Sequence, residues 1–253
     1  MRTLAITNNK GGSGKTTTAV CLAAALAELG KKVLVIDLDP QASSSSWLGV
    51  KDEGKGLLGV FTDNGNLAAI VREAPSGLDV IPSSAWMASA EKSLAGEVGA
   101  ELLFRKAMRK LPERWDFVFV DCPPALGLLT VSALVAVEEV LVPVEASVLA
   151  LTGLAQLLRT VEAVKDRLNP ELAISAILAC RVDYRTNLSQ EVERMLREKF
   201  GRLVLKTVIR ENVRLREAPS FAKPITLYDP RSSGAEDYRA VAEELLKREG
   251  RQG

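Results

Sequence analysis

Two lysines, three glycines and two threonines lie close together near the start of the 253-residue chain, in the run Lys10-Gly11-Gly12-Ser13-Gly14-Lys15-Thr16-Thr17. A short apolar run at residues 4–7 precedes it, and an alanine-rich stretch at residues 17–29 follows. A strand, a glycine-rich loop and a helix N-terminus in that order form a phosphate cradle, because backbone N–H groups and the helix dipole face the anion. In such a loop Lys15 reaches the β- and γ-phosphates of a nucleotide, and the Thr16 hydroxyl holds Mg²⁺.

Carboxylates follow two further apolar runs. Asp37 and Asp39 come after the run at residues 33–36, and Asp121 ends the β run at residues 115–120, whose last four residues are all large and apolar. Residues two apart on an extended chain point the same way, so Asp37 and Asp39 are expected to face one site at the end of their strand. An apolar strand that ends in aspartate is the Walker B form, whose carboxylate holds Mg²⁺. We therefore predict a metal site of Thr16, Asp37 and Asp121.

Composition excludes several kinds of site. The chain has no histidine, which removes histidine metal sites and Ser-His-Asp triads. Its three cysteines are far apart in apolar segments and read as core residues rather than ligands. The net charge of +1 gives no global attraction to nucleic acid, so DNA binding requires a local patch. No apolar run reaches the roughly 18 residues of a membrane helix, and the phosphate loop starts too early for a signal peptide; we expect a cytoplasmic protein.

Apolar runs alternate with amphipathic stretches along the whole chain. The pattern predicts an α/β fold, a doubly wound and mostly parallel sheet flanked by helices, with residues 1–253 as a single domain. Residues 43–46 fit either a loop or a helix start. Strands are predicted at 4–7, 33–36, 77–82, 115–120, 138–144, 172–178 and 206–209, and helices at 17–29, 67–73, 91–110, 151–168, 188–200 and 235–248.

The K-G-G-x-G-K-T form of the loop, with Asn9 where a strict Walker A has its first glycine, resembles the deviant Walker A of the ParA/MinD class of P-loop ATPases. The strings D-x-D-P-Q and D-C-P-P-A-L-G are similar to that class too. The resemblance implies ATP and Mg²⁺ as cofactors and a homodimer in which Lys10 reaches the partner's nucleotide. It also implies that hydrolysis depends on Asp39, with Lys15 on the phosphates and Asp37 close to the metal.

The last third of the chain resembles the chromosome-partitioning ParA (Soj) subgroup at N-V-R-L-x-E-A-P-S, K-P-I-x-L-Y-D-P and S-G-A-E-x-Y. That resemblance implies that Arg185 and Arg214 bind double-stranded DNA without sequence preference, that a ParB-type protein stimulates hydrolysis, and that the protein associates with the nucleoid. Arginine suits such a surface because it is always charged and pairs with phosphate. The alternative reading is a solvated face of scattered charges.

Two alternative functions remain open, and membrane binding is disfavoured. The ATPase could position a protein assembly instead of DNA, or a metabolic P-loop enzyme could phosphorylate a small molecule. A membrane-binding tail of the MinD type is not expected, because residues 247–253 lack large apolar side chains. Arg210-Glu211 departs from the family pattern before Asn212, so contacts to the nucleotide base are left unassigned.

Overall fold

The computed structural model describes residues 1–52, 56–63, 65–94, 96–147 and 150–249. Within these residues eight strands form one sheet in the order β3-β4-β2-β5-β1-β6-β7-β8. All neighbouring pairs are parallel except the short β3–β4 pair. The strands are β1 Arg2–Ile6, β2 Val33–Asp37, β3 Arg72–Glu73, β4 Asp79–Ile81, β5 Phe117–Asp121, β6 Glu139–Glu145, β7 Ala173–Val182 and β8 Ile209–Arg210.

Helices cover both faces of this sheet. The helices are α1 Lys15–Glu28, α2 Ser43–Trp47, α3 Leu58–Thr62, α4 Met87–Ser93, α5 Leu103–Met108, α6 Leu128–Ala136, α7 Ala150–Arg167, α8 Asn187–Phe200, α9 Val213–Glu217, α10 Ile225–Tyr228 and α11 Ser233–Glu249. The doubly wound, mostly parallel α/β fold predicted from the sequence is confirmed.

The central strands are apolar on both sides because each side faces a separate core. In β1, Leu4 and Ile6 pack into the cluster that contains α1 and α11, whereas Ala5 between them packs into the cluster that contains α5 and α6. Val35 and Ile36 of β2 divide in the same way. Side chains alternate across a strand, so a strand covered by helices on both faces has no polar position until it ends.

The strand order brings the three predicted motifs together. β1, which leads into the phosphate loop, pairs with β5, and β5 pairs with β2. Their parallel register sets Ile6 beside Asp121 and Asp121 beside Asp37. The carboxyl ends of these three strands therefore meet at one edge of the sheet, which is where ligands bind in open parallel sheets.

Three sequence-based assignments were wrong. The continuous helix predicted at 91–110 is two shorter helices, α4 and α5, separated by a segment in which Gly96 and Gly99 have positive φ angles of 87° and 82°. Glycine adopts this conformation readily and it cannot continue a right-handed helix. The strand predicted at 206–209 begins only at Ile209, and the segment at 67–73 is one 3₁₀ turn, Leu67–Ile70, followed by β3.

Candidate active site

The phosphate loop runs from the end of β1 to the start of α1. Gly14 caps α1 with φ +94°, and Gly12 has φ +73°, a region that side chains with a Cβ rarely adopt. Asn8 holds the start of the loop: its Oδ1 accepts from the Lys10 N–H at 3.1 Å and its Nδ2 donates to the Pro143 carbonyl at 2.7 Å. The backbone is thus shaped for an anion by two glycine conformations and one buried amide side chain.

Lys15 is buried at the first position of α1, and its Nζ donates to the Lys10 carbonyl at 3.1 Å. Burial lowers the pKa of Lys15, and the nearby Asp121 opposes that shift. Ser13 is also buried, and its hydroxyl has no partner within the described part of the chain. Thr17 is half-buried on the first turn of α1, and Gly11 is exposed. The side chains of the loop therefore leave its outer surface open.

Asp121 is completely buried at the end of β5 and receives two hydroxyl groups on one oxygen. Thr16 donates to its Oδ2 at 2.9 Å and Ser44 donates to the same atom at 2.5 Å. The other oxygen, Oδ1, is buried and has no partner among the described residues. A buried carboxylate oxygen without a donor is costly unless something else, such as a cation or its water, occupies that side.

Asp37, the register neighbour of Asp121, is also completely buried. Its Oδ2 accepts from the Ser45 N–H at 2.8 Å and from the Ser45 hydroxyl at 2.6 Å, and its Oδ1 accepts from the Asp39 N–H at 3.1 Å. Asp39 is only partly buried, and its Oδ1 accepts from the Gln41 N–H at 2.9 Å. Asp37 is therefore locked in place, whereas Asp39 lies at the rim of the site.

The two buried carboxylates disfavour each other's ionisation. Burial raises the pKa of Asp37, and the charge of Asp121 raises it further, against the hydrogen bonds from Ser45. Burial likewise raises the pKa of Asp121, opposed by the hydroxyls of Ser44 and Thr16 and by the charge of Lys15. Two adjoining acids with raised pKa values form a site that gains from a divalent cation, since the cation favours the ionised forms.

The ammonium group of Lys10 binds residues at the end of β6 rather than side chains of the phosphate loop. Lys10 Nζ donates to Oε2 of Glu145, the last residue of β6, at 2.6 Å and to the hydroxyl of Ser147, just beyond that strand, at 3.0 Å. Glu145 Oε1 also accepts from Arg181 Nη1 at 2.9 Å. Arg181, which has a φ of +56°, reaches in turn to Glu211 Oε2 at 3.2 Å. A chain of ion pairs thus connects the phosphate loop to the segment that precedes α9.

Arg185 and Arg214 follow the carboxyl ends of β7 and β8, at the same edge of the sheet as the phosphate loop. Arg185 makes two 2.8 Å hydrogen bonds to Asp183, and these hold the pKa of Asp183 down at about 2. Arg214 donates to Glu217 at 2.8 Å. The side chains of Arg185 and Arg214 are 86% and 55% exposed. Both predicted arginines are at the surface, and each pairs with a carboxylate close to it in sequence.

Sequence reasoning missed three residues of the site. Ser44 and Ser45 lie in a run that fitted either a loop or a helix start, and the structure brings them onto Asp121 and Asp37 by way of α2. Glu145 is 135 residues from Lys10, and only the pairing of β1 with β6 brings it near. One signal was available for the serines: they follow the D-x-D-P-Q string closely, where short hydroxyl side chains can return to the carboxylates.

Comparison with known proteins agrees with this geometry. A family model described as an AAA domain matches residues 1–174. The sporulation initiation inhibitor protein Soj of Bacillus subtilis is 44% identical over 96% of this chain and 97% of its own length. The chromosome-partitioning ATPase Soj of Thermus thermophilus is 46% identical over 98% of this chain and 96% of its own. The chain belongs to the Soj/ParA family of chromosome-partitioning ATPases.

The fold of this Soj/ParA family member is also found in solved structures. Cobyrinic acid a,c-diamide synthase from Mycobacterium smegmatis, crystallised with ADP and magnesium, has a TM-score of 0.87 and 32% sequence identity, covering 100% of this chain and 97% of the other. Among the described residues, no helix combines the length and apolar character needed to cross a membrane. Sequence similarity to the Soj proteins shows the family, and similarity to solved structures shows the P-loop fold.

Proposed function

We propose that this protein is a DNA-segregating ATPase whose ATP-bound homodimer binds double-stranded DNA without sequence preference and releases it after hydrolysis. One observation carries the proposal: three adjacent parallel strands bring Lys15, Thr16, Asp37 and Asp121 to one edge of the sheet in a chain of the Soj/ParA family. The single sheet also supports treating residues 1–253 as one ATPase domain.

ATP would lie on the loop, with its phosphates on the backbone N–H groups and on Lys15. The binding residues are Lys10, Gly11, Gly12, Ser13, Gly14, Lys15, Thr16 and Thr17. Mg²⁺ would be held by Thr16 and Asp121, with Asp37 beside them. The unpartnered Oδ1 of Asp121 fits this role, because Mg²⁺ accepts carboxylate and hydroxyl oxygens and keeps several waters and phosphate oxygens. The cation supplies charge stabilisation for phosphoryl transfer.

Asp39 is the residue proposed to position the attacking water. It is partly exposed at the rim, and its one recorded side-chain hydrogen bond, within the described residues, is the short-range bond from the Gln41 N–H. Asp37 and Asp121, by contrast, are buried and already accept donors. A carboxylate that is free to accept a proton from water at the edge of the phosphate site is suited to that task.

Lys10 is proposed to complete the partner's site in the dimer. In the single chain its ammonium group pairs with Glu145, so this ion pair must open before Lys10 can reach a second subunit. The phosphates of ATP carry more negative charge than one carboxylate and can compete for the ammonium group. ATP would thereby favour the dimer, and hydrolysis would weaken the contact that holds it together.

Dimerisation would double the surface that contains Arg185 and Arg214. Two linked phosphate-binding patches bind DNA more tightly than one, because the second contact is made at high effective concentration. A ParB-type partner would stimulate hydrolysis, and the protein would act in the cytoplasm on the nucleoid. These last assignments rest on membership of the Soj/ParA family.

The competing hypothesis is a P-loop enzyme that acts on a small molecule. One observation favours it, namely the structural similarity to cobyrinic acid a,c-diamide synthase. That protein is 32% identical, whereas the Soj proteins are 44% and 46% identical. The greater similarity favours partitioning. Positioning of a protein assembly would use the same ATP and DNA steps and differs only in the cargo.

Retention of duplex DNA across a salt series, with ATP, ADP or no nucleotide, tests the proposal. We expect ATP to promote retention, Asp39→Ala to prolong it, and Lys10→Ala and Arg214→Glu to lose it. Arg194→Glu is the matched control, because Arg194 is an exposed arginine of α8 outside the proposed surface. If ATP binds tightly and DNA is ignored in every nucleotide state at low salt, the partitioning function is wrong and the small-molecule enzyme takes its place.

A further inference from the structure

The carboxylate of Asp121 is held by two donors of different origin. Thr16 belongs to the first turn after the phosphate loop, whereas Ser44 belongs to α2, beyond β2. Both hydroxyls donate to Oδ2, and this leaves Oδ1 as the oxygen without a partner in the described chain. The two bonds together fix which oxygen of Asp121 remains available.

α2 is anchored independently of the phosphate loop. Ser45 binds Asp37 through both its N–H and its hydroxyl, and Trp47 Nε1 donates to the Lys223 carbonyl at 2.8 Å. Ser44 itself is fully buried and directly precedes Ser45, the first of these two anchors, in sequence. The contacts that anchor α2 next to this hydroxyl therefore come from residues outside the phosphate loop.

We propose that Ser44 is a positioning residue for the magnesium site, acting through Asp121. Its hydroxyl holds Oδ2 so that Oδ1 faces the cation or a water bound to it. This inference rests on the proposed binding of Mg²⁺ with ATP, and it adds a residue that lies outside the phosphate loop and both aspartate motifs.

The proposed bond persists when the metal is bound. A threonine oxygen that ligates Mg²⁺ through a lone pair can still donate its proton to Asp121, so Thr16 has two tasks at once. Ser44 has only one task in this proposal, because it is a fully buried residue of α2 outside the phosphate loop and its hydroxyl donates to Asp121 Oδ2. Residues that orient metal ligands in this way commonly change metal affinity by 10–100-fold when removed.

Ser44→Ala tests the proposal, with Ser46→Ala as the matched control, because Ser46 lies on the same helix and is exposed. The measurement is a Mg²⁺ titration of binding to a non-hydrolysable fluorescent ATP analogue, together with binding in EDTA and the unfolding midpoint without metal. Ser44→Cys is the second variant, since a thiol has nearly the same size but is a weak donor.

We expect Ser44→Ala to raise the half-saturating Mg²⁺ concentration about tenfold, with Ser44→Cys between it and the wild type. Metal-free affinity for the analogue should stay close to that of Ser46→Ala, and the unfolding midpoint verifies that Ser44→Ala is folded under the conditions of the titration. Unchanged Mg²⁺ dependence would overturn the proposal. An equal loss of affinity with and without Mg²⁺ would overturn it too, because it would indicate a purely structural serine. The titration contains no DNA, so failure of the partitioning function would leave its result intact.

Discussion

Two charged regions lie at the same edge of the sheet, and they are built in opposite ways. Asp37 and Asp121 are completely buried; donors from distant parts of the chain hold Asp121, and Ser45, eight residues on, holds Asp37. Arg185 and Arg214 are exposed, and each pairs with a carboxylate two or three residues away. Buried charges depend strongly on their partners, whereas exposed pairs contribute little and weaken in salt.

This difference matches the two proposed tasks. A metal and phosphate site must keep its geometry while ligands come and go, so its carboxylates are fixed before binding. A surface for DNA of any sequence must adapt to many phosphate positions and release them, so mobile arginines with weak local partners are suitable. Substitutions in the two regions should therefore differ in their effects on ligand binding and on stability.

Lys15→Ala should have the largest effect. It removes the buried ammonium group proposed to bind the phosphates, and the loss of one member of a buried charge pair costs about 2–5 kcal/mol of binding free energy. Titration calorimetry with an ATP analogue would measure it. Lys32→Ala, an exposed lysine after α1, is the control and should leave affinity unchanged. Retained affinity in Lys15→Ala would mean that the loop is not the nucleotide site.

Asp121→Asn should stabilise the metal-free protein and abolish its response to Mg²⁺. Because the folded-state pKa values of Asp37 and Asp121 are raised, the folded protein binds more protons than the unfolded chain, and stability falls as pH rises from the usual carboxyl range. Removing one of the two charges should raise the free energy of unfolding by roughly 1–3 kcal/mol at about pH 8 and by almost nothing at about pH 4.

Unfolding with denaturant in EDTA across that pH range measures this effect. Asp39→Asn is the control, since Asp39 is partly exposed at the rim. If Asp121→Asn were less stable than the wild type at alkaline pH, the mutual destabilisation of the two carboxylates would be disproved.

Asp183→Asn should have the smallest effect on stability. It removes the local partner of Arg185, and an exposed pair of this kind contributes little to folding, so the unfolding midpoint should not measurably change. With one competing carboxylate gone, half-release of DNA from the ATP-bound state should shift to higher salt. Glu191→Gln is the control, since Glu191 is an exposed carboxylate of α8 that pairs with Arg194 rather than with Arg185. A clear loss of stability would show that the arginine surface is as rigid as the metal site.

Short-range patterns of the sequence determined the fold class and most of the site. The phosphate loop from Lys10 to Thr17 is contiguous, and four consecutive apolar residues, 33–36 and 117–120, directly precede Asp37 and Asp121. Such features can be recognised locally, because strand burial and glycine conformations are imprinted on neighbouring residues. The family resemblance rested on the same strings, and its assignment of Arg185 and Arg214 to DNA remains a prediction.

Only the tertiary structure decided what holds those residues. Ser44 and Ser45 reach Asp121 and Asp37 because α2 packs beside the ends of β2 and β5, and Glu145 meets Lys10 because β6 pairs with β1. The prediction of one helix at 91–110 was wrong because Gly96 and Gly99 have positive φ angles. The helical pattern of the sequence continues across these two glycines and does not show the break. The contacts of Ser44 with Asp121 and of Lys10 with Glu145 join residues 77 and 135 positions apart, so strand order and helix packing decide them and local spacing does not.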